Sequence, residues 1–126
     1  YFRAKCAERV ILVTDATAGA AAPPGRYRLG KMELQRENEP VILDPNTHRP
    51  VGSAVTMDQC VRNVIKWYDM PLEEAVIWAS ENPLQLLNST KTQSQFSAQE
   101  QTVWWKEDEE GWQVKAAQNG KFLFIV

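Results

Sequence analysis

The sequence predicts an α/β fold class, and three observations carry that prediction. Residues 9–14 (RVILVT) form a β-branched run with the length and composition of a strand buried on both faces, as in a parallel sheet. Residues 56–87 carry apolar positions at helical spacing behind recognisable start signals. Residues 102–126 hold three short β-rich runs separated by turn formers.

Composition narrows the class of protein. With 126 residues and 44% hydrophobic content, the chain can fold as one globular domain or as a contiguous piece of a larger one. Sixteen acidic residues nearly balance fourteen basic ones, so no basic surface is available to track a phosphate backbone, and nucleic acid is excluded as a partner class. No apolar run approaches the roughly 20 residues of a membrane-spanning helix. The N-terminal YFRAKCAERV lacks the apolar centre of a signal peptide, and the expectation is a cytoplasmic protein with no membrane partner. A chain that starts on Tyr1 and stops on FLFIV reads as cut from something longer. Cys6 and Cys60 form no CxxC unit and read as reduced, buried thiols.

The elements follow in order. After the first strand, DATAGAAAPPGRY contains Gly19, Pro23, Pro24 and Gly25 and predicts a loop despite its alanines. Residues 26–36 show a broken alternation (Tyr27, Leu29, Met32, Leu34) with Gly30 at the break, and with residues 41–43 they predict a small antiparallel excursion. Turn formers dominate residues 44–52 (DPNTHRPVG). A helix starts at Thr56, which with Gln59 makes a capping-box pattern, and Met57, Cys60, Val61, Val64 and Ile65 share its core face. A second helix starts around Pro71, with Glu73 and Glu74 at the positive end of its dipole and Leu72, Ala75, Val76 and Ala79 as its buried stripe. Asn82-Pro83 opens a third, short helix that runs through Leu87. A polar connector follows Asn88, then strands at 102–106, 112–116 and 121–126, joined by turns at Glu110-Gly111 and Asn119-Gly120.

Few residues can carry chemistry. Asp15 lies just past the carboxyl end of the predicted parallel strand, where α/β proteins place their active sites, and small side chains after it let the backbone approach a ligand. The same position also suits a turn former or a helix cap. His48, the only histidine, sits in a turn-rich stretch and reads as a surface residue. One histidine cannot build a histidine-rich zinc site, and no GxSxG, Walker or GxGxxG pattern occurs. Trp104 and Trp105 point to opposite faces of a strand, one of them core. The acidic run at 107–110 (EDEE) reads as a solvated turn that keeps a sheet edge from pairing.

Three segments taken together say more. VTDATAGAAAPPGRYRLG, PVGSAVTMDQCVRN and LEEAVIWASENPLQLL resemble, in order and spacing, the C-terminal part of the N-acetylglucosamine-6-phosphate deacetylases of the amidohydrolase superfamily. The resemblance runs from about Val10 to Leu87. It weakens at TKTQSQFSAQEQTVWW and returns at NGKFLF. The run GSxxTMDQxVRN argues for the amino-sugar branch of that superfamily over others that share its fold.

The resemblance implies the C-terminal section of a metal-dependent (β/α)8 (TIM) barrel hydrolase with strands of the adjoining small β-sandwich. Residues 1–90 would supply the last barrel strand, a loop excursion and the C-terminal helices, and residues 91–126 the sandwich strands. It implies that Asp15 is catalytic, taking a proton from a metal-bound water and returning it to the departing amine. It implies substrate contacts at Pro50, Val51 and Gly52, with Pro50 where the family has leucine. The loop at 16–25 would lie near the mouth of the site. The cofactor would be a divalent metal, zinc or iron, whose ligands are expected upstream, with none bound by this chain alone. The partners would be an amino-sugar phosphate substrate, the missing N-terminal part of the barrel and a second copy in a homo-oligomer. The competing reading is a non-catalytic, stand-alone binding or assembly module derived from the same fold.

Overall fold

The computed structural model describes residues 9–89 and 101–125, and within them two compact units. One spans Leu12–Cys60; the other combines the described parts of Tyr1–Ile11 and Val61–Val126, so the division falls inside a helix.

The Leu12–Cys60 unit is a four-stranded antiparallel sheet in sequential order: β1 (Gly25–Leu29), β2 (Met32–Arg36), β3 (Val41–Leu43) and β4 (Pro50–Ser53). The predicted break at Gly30 is a two-residue hairpin loop, Gly30-Lys31, and Gly30 takes the positive φ of 60° that such a turn requires. Alternation does the rest. Leu34 and Ile42 are fully buried, and with Ala54 they form a core against which Tyr27 and Val51 pack.

β4 corrects one expectation. Residues 44–52 read as turn formers throughout, whereas only residues 44–49 make the turn and Pro50 begins a strand. Asp44 accepts the backbone N–H of Asn46 at 2.8 Å and of Thr47 at 3.3 Å, His48 donates its N–H to the Asp44 carbonyl, and the Asp44 N–H bonds the Arg49 carbonyl. This closed turn hands the chain back in register beside β3. Pro50 is tolerated because it lies at the first position of an outer strand. The register shifts between Ile42 and Leu43, which pair with Gly52 and Pro50, leaving Val51 as the extra residue.

Residues 9–14 correct another. Arg9 lies in a single 3-10 turn and residues 10–14 form no strand; Leu12 is half-buried and Val13 is 75% exposed. A parallel strand exists only through the neighbours that take up its N–H and C=O groups. Among the described residues the one parallel bridge near this run is Ala16 to Ser53, so an apolar composition finds no ladder to join.

The second unit holds the helices and the meander. α1 (Met57–Tyr68) buries Val61 and Val64 as its spacing predicts, half-buries Cys60 and Ile65, and leaves Met57 at its exposed start. Thr56 precedes it, and its carbonyl takes the first helical N–H, that of Cys60. α2 (Leu72–Ala79) buries Ala75, as its predicted stripe requires, and Trp78, which lies outside that stripe, while Leu72, Val76 and Ala79 are half-buried; Pro71 stands outside it as an extended cap residue rather than in its first turn. α3 (Glu81–Ser89) starts one residue before Asn82. Asn82 thus lies within the helix rather than before it. It is buried, and its Nδ2 donates to the Val10 carbonyl at 2.7 Å.

β5 (Gln101–Asp108), β6 (Gly111–Asn119) and β7 (Phe122–Ile125) form the predicted meander. Their loops are Glu109-Glu110 and Gly120-Lys121. The acidic run is exposed as expected, with Asp108 lying 3.9 Å from Lys115. A register shift falls between Trp104 and Trp105, which breaks the simple alternation; Trp104 remains 43% exposed and Trp105 is half-buried. Among the described residues no helix is long and apolar enough to cross a membrane. Cys60 is a free thiol, half-buried rather than buried, and Cys6 lies outside the described residues, as does most of the polar connector.

Candidate functional site

The candidate site is built where the chain enters and leaves the four-stranded sheet. Asp15 has a left-handed backbone, φ 51°, which is uncommon for a residue with a side chain. Two hydrogen bonds hold it there: Ser53 N–H donates to the Asp15 carbonyl at 2.9 Å, and Thr17 N–H donates to the Ser53 carbonyl at 3.1 Å. Thr14 adds a third constraint, its Oγ1 accepting the Ala16 N–H at 3.2 Å. The Asp15 side chain is exposed. The local sequence makes this geometry possible, since small residues flank the aspartate and a glycine faces it.

That glycine is Gly52. Its φ is +154°, and a Cβ there would lie 2.3 Å from Thr17 Cγ2 and 3.3 Å from the Asp15 carbonyl oxygen. Gly52 thus lets β4 pass directly against the backbone around Asp15. The structure brings Asp15 together with Gly52 and Ser53. Val51 is next to them in sequence, but its side chain packs against the sheet core. Pro50 is exposed at the start of β4, opposite Leu43.

Beyond Asp15 the chain turns sharply through Ala18, Gly19 and Ala20, and Ala20 N–H closes the turn onto the Thr17 carbonyl at 2.9 Å. Gly19 is buried, and a Cβ on it would press on Ile42 Cδ1 at 2.8 Å. Arg36, at the end of β2, donates from Nη1 to the carbonyls of Gly19, at 3.1 Å, and Ala22. Tyr27 OH donates to the Pro23 carbonyl at 2.6 Å. Sequence reasoning passed over Ser53, Thr17 and Arg36. The Gly52-Ser53 pair is a visible signal for the first, but the carbonyls that Arg36 contacts lie 14 and 17 residues away, and no periodicity announces such a contact.

Two groups near the sheet titrate away from their ordinary ranges. The Asn46 N–H holds the Asp44 carboxyl below the usual value, partial desolvation opposes it, and the Thr47 N–H assists. Burial pushes the Cys60 thiol up, with the neighbouring Asp58 charge acting in the same direction. His48 is exposed in the turn at a positive φ of 53°. Among the described residues no group of three or more histidine, cysteine, aspartate or glutamate side chains can hold a metal ion.

Comparison with known proteins adds the rest. No family model matches the chain. It is 30% identical over 82 residues to the N-acetylglucosamine-6-phosphate deacetylase of Vibrio furnissii, covering 65% of this chain and 20% of that protein. It is 34% identical over 80 residues to the N-acetylgalactosamine-6-phosphate deacetylase of Escherichia coli O157:H7, covering 64% of this chain and 21% of the relative. The chain spans about a fifth of the length of these curated relatives, and what it matches is their C-terminal part. Among solved structures, the N-acetylglucosamine-6-phosphate deacetylase from Pasteurella multocida matches with a TM-score of 0.68 and 19% identity, over 94% of this chain and 31% of that one. That likeness shows a shared fold. The resemblance seen in the sequence to the C-terminal part of these deacetylases therefore stands.

Proposed function

We propose that this chain is the C-terminal section of an N-acetylglucosamine-6-phosphate deacetylase, and that the complete enzyme hydrolyses the acetamide of its substrate to glucosamine 6-phosphate and acetate. The observation that carries the reading is 30% identity over 82 residues to the C-terminal part of a curated deacetylase, which agrees with the resemblance of three sequence motifs. In this reading residues 1–90 close a (β/α)8 barrel and residues 91–126 belong to a small β-sandwich beside it. The rest of the barrel, and a second copy in a homo-oligomer, are the proposed partners.

Asp15 is the proposed proton-transfer group. Water adds to the acetamide carbonyl and gives up a proton to the Asp15 carboxylate; the C–N bond then breaks as that carboxyl returns the proton to the sugar nitrogen. An amine departs poorly unless it is protonated in that step, so one carboxyl serving both halves has a physical purpose. Its backbone, whose carbonyl is held by the Ser53 N–H, fixes where the carboxylate starts from and supports this role. Pro50, Val51 and Gly52 are the proposed substrate contacts, Val51 through its backbone because its side chain belongs to the core. A divalent metal, zinc or iron, is proposed for the complete enzyme, held by ligands upstream of these residues; among the described residues there is no ligand set for it.

The test is the complete gene product assayed with N-acetylglucosamine 6-phosphate. Asp15→Asn lowers kcat at least about a hundredfold, the scale of general acid–base catalysis, while the protein stays folded. Wild-type-like turnover by that variant overturns the role of Asp15. The polypeptide of 126 residues by itself produces no acetate with zinc or iron added; turnover above background contradicts the reading. A second reading, the galacto epimer as substrate, is favoured by the Escherichia coli relative. Comparing kcat/KM for the two sugar phosphates decides between them.

A further inference from the structure

We propose that Arg36 is a positioning residue for the Asp15 site, clasping the loop at residues 16–25 so that the aspartate keeps its left-handed backbone. Its backbone pairs with Gly25, where the loop ends, and with Ile42 in the middle of the sheet. Its Nη1 donates to two carbonyls inside the loop, those of Gly19 and Ala22. One residue thus fixes both the exit of the loop and its central turn. The turn is closed in its own right by Ala20 N–H on the Thr17 carbonyl, and Thr17 N–H makes one of the two bonds to Ser53 that flank Ala16, the other being made by the Asp15 carbonyl. The chain of contacts from guanidinium to aspartate is therefore continuous and consists of hydrogen bonds. Its tightness is visible at two places: a Cβ on Gly19 would press on Ile42 Cδ1, and one on Gly52 would overlap Thr17 Cγ2.

Arginine suits this task because its Nη1 alone carries two N–H donors, enough for two carbonyls, and charge-assisted bonds are stronger than neutral ones. Carbonyls in a turn of small residues have no side chains of their own to shield them, and Arg36 adds a charged donor to the bonds the loop makes within itself. Arg36 touches no reacting atom. It acts through the backbone that carries Asp15, and this role rests on the reading of Asp15 as the proton-transfer group.

The experiment uses the complete enzyme with Arg36→Met and Arg36→Lys, each assayed for acetate release and examined by amide hydrogen exchange. Arg36→Met lowers kcat at least about tenfold per folded molecule, as displacement of a reacting group does, while KM changes less than threefold. Exchange at Thr17, Ala20 and Ser53 accelerates, and exchange in β2 and β3 does not. Arg36→Lys, which keeps charge and a donor, recovers part of kcat, and it remains readable if Arg36→Met does not fold. A purely structural role would reduce the folded fraction and leave kcat per folded molecule at the wild-type value; that result, or unchanged exchange at the three amides, overturns the proposal. Absence of turnover in the wild-type enzyme is a different failure: it removes the deacetylase reading and the proposal with it.

Discussion

Position 52 has no room for a methyl group. A Cβ there would lie 2.3 Å from Thr17 Cγ2, and the backbone angle is one that side chains rarely adopt, so Gly52→Ala is expected to destabilise the Leu12–Cys60 unit by about 1–3 kcal/mol. Urea unfolding measures this loss, and faster exchange of the Ser53 amide locates it. Asn82 offers a complementary case in the other unit. Its side chain donates to the carbonyl of the buried Val10, so Asn82→Ala removes that bond from a buried acceptor and is expected to cost about 1–3 kcal/mol, read by thermal unfolding. Cys60 belongs to the same scale. Burial and Asp58 both disfavour its thiolate, so it reacts with an aromatic disulfide more slowly than a free thiol at neutral pH, and Asp58→Asn speeds the reaction. The sequence marked Cys60 and Asn82 as noteworthy, but it assigned the asparagine a cap. Whether an asparagine caps its own helix or serves a distant carbonyl depends on which groups the fold leaves unsatisfied.

At the scale of elements, the hairpins and helices were legible because their signals are local. Gly30 and Gly120 mark two-residue loops, and the apolar spacing of α1 finds its buried face through Val61 and Val64. β4 was missed because Pro50 and Gly52 are turn formers by composition and strand residues only by pairing with β3. The turn that delivers β4 depends on an ionised carboxylate. The Asp44 carboxyl titrates below its ordinary value, so the folded turn binds its proton less well than the unfolded chain does. The contribution is fully present above the ordinary carboxylate value and is lost as pH falls through the lower folded one. Amide exchange of Asn46 and Thr47, followed from neutral pH downward, is expected to accelerate in that acidic range. The sheet core gives the larger effect: Leu34→Ala, at a fully buried position, is expected to cost about 2–5 kcal/mol by chemical unfolding.

For the whole molecule, exposed apolar surface predicts behaviour in solution. Phe122, Leu123, Phe124 and Ile125 of β7 are each more than half exposed, on both faces of an outer strand that carries no charge within it. Such an edge pairs with whatever β-structure it meets. The 126-residue polypeptide is therefore expected to self-associate, with light scattering coupled to size exclusion reporting the mass and Phe124→Lys lowering it; a monomer at all concentrations contradicts this. By itself the sequence determined the hairpins, the helical faces, the closing meander and the likeness to deacetylases, because each is written in residues close together along the chain. Only the tertiary structure decided that residues 9–14 form no strand, that β4 exists, and that Gly52, Ser53 and Arg36 hold the backbone around Asp15 and the loop after it. The physical reason is common to all three: backbone and guanidinium hydrogen bonds are satisfied by partners far away in sequence, and no local pattern specifies which partner will be there.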